Sequence, residues 1–98
     1  MIFKLKFTPE ADKQLTELEK DPSKKAFYKA VLKCLGYMET NLRHNSLQTH
    51  EFTSMKGANG EKVFESYAQH KTPGAYRIFW YYGPMKQELT IAAIVPHP

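Results

Sequence analysis

Six cationic or imidazole side chains in the second half of the sequence have the chemistry needed for acid–base and anion catalysis. They are Lys56, Lys62, His70, Lys71, Arg77 and His97. Cleavage of RNA by its own 2′-hydroxyl requires a general base for that hydroxyl, cations for the charge growing on the phosphorane, and an acid for the leaving 5′-oxygen. These residue types supply all three roles, although composition alone does not single them out.

Arg77 is the most unusual member of this set, because it lies within the apolar and aromatic run Ala75–Tyr82 that predicts an interior strand. A desolvated guanidinium needs a carboxylate partner or an anion-binding site. One alternative is a structural ion pair with Glu65, which a hairpin would bring roughly opposite Arg77. The other is a phosphate-binding arginine that is open to solvent near Lys56 or Lys62 and contacts two phosphate oxygens at once.

Patterns typical of metal-dependent or nucleophilic catalysis are missing from the sequence. The four histidines show no i, i+3 or i, i+4 pairing, and no carboxylate or cysteine lies at ligand spacing. No glycine-rich phosphate loop precedes a helix, and no Gly-x-Ser-x-Gly sequence is present. Cys34, the single cysteine, falls on an apolar helical face. We therefore predict neither a metal ion nor a cofactor.

Length and charge limit the class of protein. The chain of 98 residues is long enough for one domain, spanning residues 1–98. Its net charge of +4 favours nucleic acid or an acidic protein as a partner, or serves solubility alone. The lone cysteine indicates a reducing compartment, and no stretch is typical of a signal peptide or a membrane span. We predict a cytoplasmic protein that does not associate with membranes.

Apolar periodicity predicts the elements that must position the candidate residues. Residues 3–7 alternate between apolar side chains and lysines, as in a half-buried strand. Thr8-Pro9 and Asp21-Pro22 each place a capping side chain before a proline, so each pair predicts the start of a helix. The two predicted helices have almost no linker between them and form an α-hairpin.

The periodicity fails between Arg43 and Gly60, which predicts a long irregular loop. His50 and Lys56 lie in this loop, which precedes the strand region that holds Arg77. Loops of this length in a compact domain are often functional.

Three apolar segments at the end of the sequence predict strands. They cover residues 62–68, 75–82 and 89–95. Turns join neighbouring strands, so the predicted fold class is α+β: an N-terminal strand, an α-hairpin and a three-stranded antiparallel meander, forming a mainly antiparallel sheet with the helices on one face. The predicted core consists of Phe3, Leu5, Phe7, Leu15, Leu18, Phe27, Val31, Leu35, Met38, Ile78, Trp80, Ile91 and Ala93.

This order of elements, together with three segments, resembles the RelE/ParE superfamily of toxin proteins. The segments are A-Y-R-I-F-W at 75–80, I-A-A-I-V-P-H at 91–97 and N-L-R-H-N-S-L-Q-T-H-E-F at 41–52. The last of them is similar to the stretch that precedes the sheet in RelE- and HigB-like members. The likeness covers nearly the whole chain and implies the RelE-like version of the predicted fold.

For function, the resemblance implies a metal-independent, ribosome-dependent endoribonuclease that cuts messenger RNA and is neutralised by a cognate antitoxin protein. Arg77 matches the family's strand arginine, which contacts the scissile phosphate, so the resemblance favours the phosphate-binding alternative. Lys56 and Lys62 lie where RelE-like members place basic residues before that strand, and His97 lies where HigB-like members carry a catalytic side chain. The catalytic candidates are thus Arg77, His97 and Lys56, and the RNA-binding candidates are Lys62, His70, Lys71, Arg43 and His50.

Two other functions stay open on the sequence. ParE-like members inhibit DNA gyrase by binding, and some members of the superfamily have no demonstrated toxicity. RelE-like enzymes also continue past the last strand with a tail of basic or aromatic groups, whereas this sequence stops at Pro98. The titratable groups near Arg77 favour the enzyme, because a pure binding surface does not need them.

Overall fold

The structure is a computed structural model that describes residues 2–97; Met1 and Pro98, at which the sequence stops, lie outside the described residues. The strands are β1 (Lys4–Phe7), β2 (His50–Lys56), β3 (Lys62–Tyr67), β4 (Tyr76–Tyr82) and β5 (Glu88–Pro96), and the helices are α1 (Pro9–Lys20) and α2 (Lys25–Thr40). The strand order is β1-β5-β4-β3-β2, with β1 parallel to β5 and the other pairs antiparallel. The α+β prediction is confirmed. Within residues 2–97, neither helix is both long and apolar enough to cross a membrane.

The strand β2 was not predicted, because its sequence lacks a period of two. It lies at the sheet edge, pairs only with β3, and its register shifts between Glu51 and Lys56. Phe52 and Met55 are half-buried and its other residues are exposed. An irregular edge strand does not alternate between a core face and a solvent face. The meander therefore has four strands instead of three, and residues 43–60 are only partly irregular.

The predicted caps begin the two helical segments. The Thr8 hydroxyl accepts a hydrogen bond of 3.1 Å from the Ala11 amide, which satisfies one of the free donors at the start of α1. Asp21 caps a 3₁₀ turn that leads into α2, so it does not cap α2 directly. Hydrogen bonds from the side chain and backbone of Ser23 hold the pKa of Asp21 below its usual value.

The core lies between the two helices and one face of the sheet. The buried face of α2 consists of Val31, Cys34, Leu35 and Met38, which pack with buried sheet residues such as Ile78. Several predicted core residues are half-buried at its margin: Phe3, Leu5, Leu15 and Phe27. Burial raises the pKa of Cys34 to about 12, so the thiol is a small apolar core group at neutral pH.

Two predicted core positions are wrong, each for a reason of sheet geometry. The β4–β5 register shifts so that Phe79 pairs with Ala93 but Trp80 pairs with Ile91. The extra residue of this bulge turns Ala93 to the face opposite Ile91, where it is half-buried. Phe7 is 38% exposed because it lies on β1, an edge strand paired only with β5.

Replacing Leu35 by alanine is expected to lower the free energy of unfolding by about 2 to 5 kcal/mol, because its side chain is 6% exposed and fills the α2–sheet contact. Leu32 provides the matched control, since it lies on the same helix and is 43% exposed. Its replacement by alanine should cost about 0.5 kcal/mol or less. Urea unfolding measures both, and equal losses would show that the buried face of α2 is misassigned.

Candidate active site

Glu65 is the centre of a polar network on the sheet face that points away from the helices. Its side chain is only 3% exposed. One carboxylate oxygen, Oε2, accepts a hydrogen bond from Arg77 Nη1, and the other, Oε1, lies 2.7 Å from His50 Nε2. Tyr67 is directly opposite Arg77 in the β3–β4 register, so Glu65 meets Arg77 on the diagonal. Two partners thus compensate the buried carboxylate.

His50 joins the start of β2 to this network. Its Nδ1 lies 3.2 Å from the carbonyl oxygen of Gln48, and its Nε2 contacts Glu65. A carbonyl and a carboxylate both accept hydrogen bonds, so the imidazole satisfies both when each ring nitrogen carries a proton. The ring also lies 5.8 Å from that of Tyr67. His50 therefore fixes an edge strand against the buried carboxylate.

The structural ion pair proposed for Arg77 is present, whereas its predicted lysine neighbours are not. Lys56 pairs with Lys62 where β2 meets β3, and Tyr67, opposite Arg77, is at the other end of β3. Tyr67 is five positions along the strand from Lys62, a distance of about 17 Å. The expectation that Arg77 lies open to solvent near Lys56 or Lys62 is wrong, since the direction of β3 carries the lysines away from it.

Arg77 nevertheless lines a groove of about 470 Å³, named the Arg77 groove below. Most of its lining comes from residues 69–75 of the loop between β3 and β4. The other lining residues are Tyr67 at the end of β3, Arg77 near the start of β4, Gln48 and His97. The groove brings together four predicted site residues: Arg77, His97, His70 and Lys71. No aspartate or glutamate is among its lining residues. It is therefore a cationic groove with two imidazoles.

His70 closes one side of the Arg77 groove. Its Nε2 donates a 2.5 Å hydrogen bond to the carbonyl oxygen of Ser46, and its ring stacks on Tyr67 with centroids 5.6 Å apart. This arrangement places the proton on Nε2 and makes Nδ1 the nitrogen that can exchange a proton. Lys71 follows with a positive φ of 58° and an exposed side chain.

His97 is anchored at the other side of the groove. Its backbone amide donates a 2.7 Å hydrogen bond to the carbonyl oxygen of Ala75, which extends the β4–β5 pairing beyond Pro96. The His97 side chain is exposed and lines the groove. Within residues 2–97, no group of three or more His, Cys, Asp or Glu side chains is placed to hold a metal ion.

Arg43 lies apart from this site, in a second groove of about 720 Å³. Four aromatic residues and a polar segment line this groove, named the aromatic groove below. The aromatic residues are Phe3, Phe64, Trp80 and Tyr82, and the polar segment covers residues 40–45 with Gln48 and Thr49. The sequence did not predict this groove, because its aromatic residues come from β3, β4 and the chain before β1 and individually resemble core positions.

Comparison with known proteins supports the fold. No family model matches the chain, and no curated protein sequence matches it. Solved structures do: RelE in the archaeal RelE–RelB complex of Pyrococcus horikoshii is 15% identical, with a TM-score of 0.65 over 98% of this chain and 96% of that chain. The YoeB dimer of Staphylococcus aureus is 14% identical, with a TM-score of 0.63 over 100% of both chains. The YoeB/ParE toxin of Agrobacterium tumefaciens is 9% identical, with a TM-score of 0.69 over 98% of this chain and 100% of that chain.

These three structures match the fold of this chain over nearly its whole length while differing from it at most positions. Similarity at this level of identity reports on the fold and leaves the chemistry of the site to be argued from its residues. The chain therefore has the fold of the RelE/ParE superfamily of toxins.

Proposed function

We propose that this chain is the toxin of a type II toxin–antitoxin pair and that it cleaves messenger RNA on the ribosome. The observation that carries the proposal is the Arg77 groove, which collects a guanidinium, two imidazoles and an ammonium with no carboxylate side chain among its described lining residues. An anionic backbone is the substrate that such a lining attracts. The dependence on the ribosome is inferred from the resemblance of the sequence to RelE- and HigB-like enzymes.

In the proposed reaction, a base removes the proton of the 2′-hydroxyl and O2′ attacks the adjacent phosphorus. The P–O5′ bond breaks, an acid protonates O5′, and the products carry a 2′,3′-cyclic phosphate and a 5′-hydroxyl. Nothing else is consumed, because the nucleophile belongs to the substrate. The protein has only to hold the phosphate, stabilise its charge and move two protons.

Arg77 is assigned to the phosphate. Glu65 holds Nη1, which fixes the guanidinium plane, and Arg77 Nε is buried without a hydrogen-bond partner among the described residues. Arg77 Nη2 is not buried and makes no hydrogen bond within residues 2–97, so we assign it to a phosphate oxygen in the groove. Glu65 therefore orients Arg77 without itself lining the groove.

The proton transfers are assigned to the two imidazoles of the groove, with His97 as the principal candidate and His70 Nδ1 as the second. Lys71 adds a cation at the same groove. Lys56 and Lys62, at the far end of β3, are assigned to the RNA backbone away from the cleaved bond. The antitoxin partner is supported by the RelE neighbour, which is bound to RelB. The ribosomal substrate places the proposed reaction in the cytoplasm.

The purified protein is expected to cleave messenger RNA on programmed ribosomes and to leave naked RNA intact, because ribosome dependence is implied by the family resemblance. Primer extension maps the cuts, and end analysis should detect the 2′,3′-cyclic phosphate. A chelator should have no effect once ribosome integrity is controlled. Equally efficient cutting of free RNA would refute ribosome dependence, and altered DNA supercoiling without cleavage would assign the chain to the gyrase inhibitors.

A further inference from the structure

The aromatic groove has a ready-made stacking surface. Phe64 stacks on Trp80 with centroids 5.0 Å apart, and Tyr82 packs edge-on against both rings at 5.7 and 5.0 Å. Phe3 adds a fourth ring, 6.3 Å from that of Tyr82. Trp80 is buried beneath the cluster while Tyr82 remains 50% exposed. The cluster thus holds an aromatic side chain rigidly at the surface, where a planar ligand could stack on it.

The rim of the groove carries hydrogen-bonding groups and one cation. Asn41, Asn45 and Gln48 present side-chain amides, which donate and accept at the edge of a heterocyclic base. Arg43 is exposed and makes no ion pair or side-chain hydrogen bond within residues 2–97. Among residues 2–97, no aspartate or glutamate lines the groove. A planar heterocycle bearing a phosphate, that is, a nucleotide, matches this combination.

The aromatic groove also adjoins the Arg77 groove. Gln48 lines both, and it sits in a left-handed conformation with a φ of 44° after the short 3₁₀ turn Asn45–Leu47. The hydrogen bond from His70 to the Ser46 carbonyl fixes this turn against the β3–β4 loop. The two grooves therefore meet at Gln48, next to a single ordered turn.

We propose that the aromatic groove binds a base of single-stranded RNA, a few nucleotides from the bond positioned in the Arg77 groove. This inference rests on the proposed function, since it assigns the same substrate a second contact. Single-stranded RNA is favoured over a protein segment because the rim is amide-rich and cationic and shares Gln48 with a second cationic groove. Tyr82 would stack on the base and Arg43 would hold a neighbouring phosphate.

Trp80 makes the proposal directly measurable, because it is the only tryptophan of the chain and lines the groove. The probe is a short single-stranded RNA with 2′-O-methyl groups throughout, which cannot be cleaved. It should quench Trp80 fluorescence saturably. Tyr82→Leu should weaken binding about tenfold, because stacking is lost while apolar bulk is kept. Arg43→Ala should weaken binding several-fold and lower the salt slope by about one.

Two control variants match these changes. Tyr81→Leu alters the neighbouring tyrosine on the opposite sheet face, and Lys20→Ala removes one exposed cation at the end of α1. Both should bind RNA as the parent does, and thermal unfolding checks that every variant is folded. An RNA affinity that is unchanged in the Tyr82→Leu and Arg43→Ala variants would overturn the proposal. Quenching by an amphipathic peptide but not by RNA would also overturn it and assign the groove to a protein partner.

The outcome separates this inference from the proposed function, because the binding assay contains no ribosome and no cleavable bond. If the protein binds RNA in a way that depends on Tyr82 but does not cut messenger RNA, the proposed nuclease activity is refuted and RNA binding by the aromatic groove is supported. Cleavage on ribosomes with an unchanged KM for the Tyr82→Leu and Arg43→Ala variants would refute the groove while the nuclease stands.

Discussion

Arg77→Ala is expected to abolish cleavage of ribosome-bound messenger RNA, by about 10³-fold or more, and also to lower the free energy of unfolding by about 3 kcal/mol. Both effects follow from the position of the side chain between a buried carboxylate and the Arg77 groove. Removing the guanidinium leaves the buried carboxylate of Glu65 with His50 as its remaining partner. It also removes the donors assigned to the phosphate.

Two further variants separate the chemical from the structural contribution of Arg77. Combining Arg77→Ala with Glu65→Gln removes the stranded charge, so most of the stability should return while cleavage stays absent. Arg77→Lys keeps a cation beside Glu65 but cannot make a two-point contact with phosphate, so it should be stable and nearly inactive. Single-turnover cleavage and urea unfolding measure the two quantities on the same samples. A stable double variant that still cleaves would refute the phosphate-binding role.

His97→Gln is expected to lower the rate of single-turnover cleavage by about 10²-fold, because glutamine can hydrogen-bond in the groove but cannot transfer a proton near neutral pH. The backbone amide that anchors this residue to Ala75 is retained in the variant, and the side chain is exposed. The free energy of unfolding should therefore change little. One limb of the pH–rate profile should flatten if His97 carries the titration.

Unchanged cleavage by His97→Gln would exclude His97 as acid or base. The same assay on His70→Gln then tests the second imidazole of the groove. That variant needs a stability control, because His70 also holds the turn at Ser46 through Nε2. A loss of rate without a change in the pH profile would indicate that His70 acts by holding this turn.

The parts of the fold that could be predicted are those set by local chemistry. Thr8-Pro9 and Asp21-Pro22 gave both helical starts, since a cap and a proline act within a few residues. The Glu65–Arg77 pair could be anticipated because a guanidinium inside an apolar strand demands a partner. The fold class followed from the order of these elements.

What escaped prediction depends on pairing between distant segments. The edge strand β2 has no alternating pattern, and the bulge that moved Ala93 exists only in the register of β5 against β4. Lys56 was expected near Arg77 because it lies in the segment that precedes the strand region holding Arg77. The two residues lie at opposite ends of β3, so the length of this strand separates them. The aromatic groove needs three segments to meet, so no single stretch of sequence could reveal it.

The parallel pairing of β1 with β5 has a consequence for synthesis of the protein. Residues 4–7 are made 84 residues before their hydrogen-bonding partners, residues 88–91. A nascent chain leaves the ribosome from its N-terminus, so β1 can join the sheet only after β5 has emerged. The same final strand leads into His97. Until residues 88–97 have been made, the nascent chain thus has neither the β1–β5 pairing nor the His97 side of the Arg77 groove.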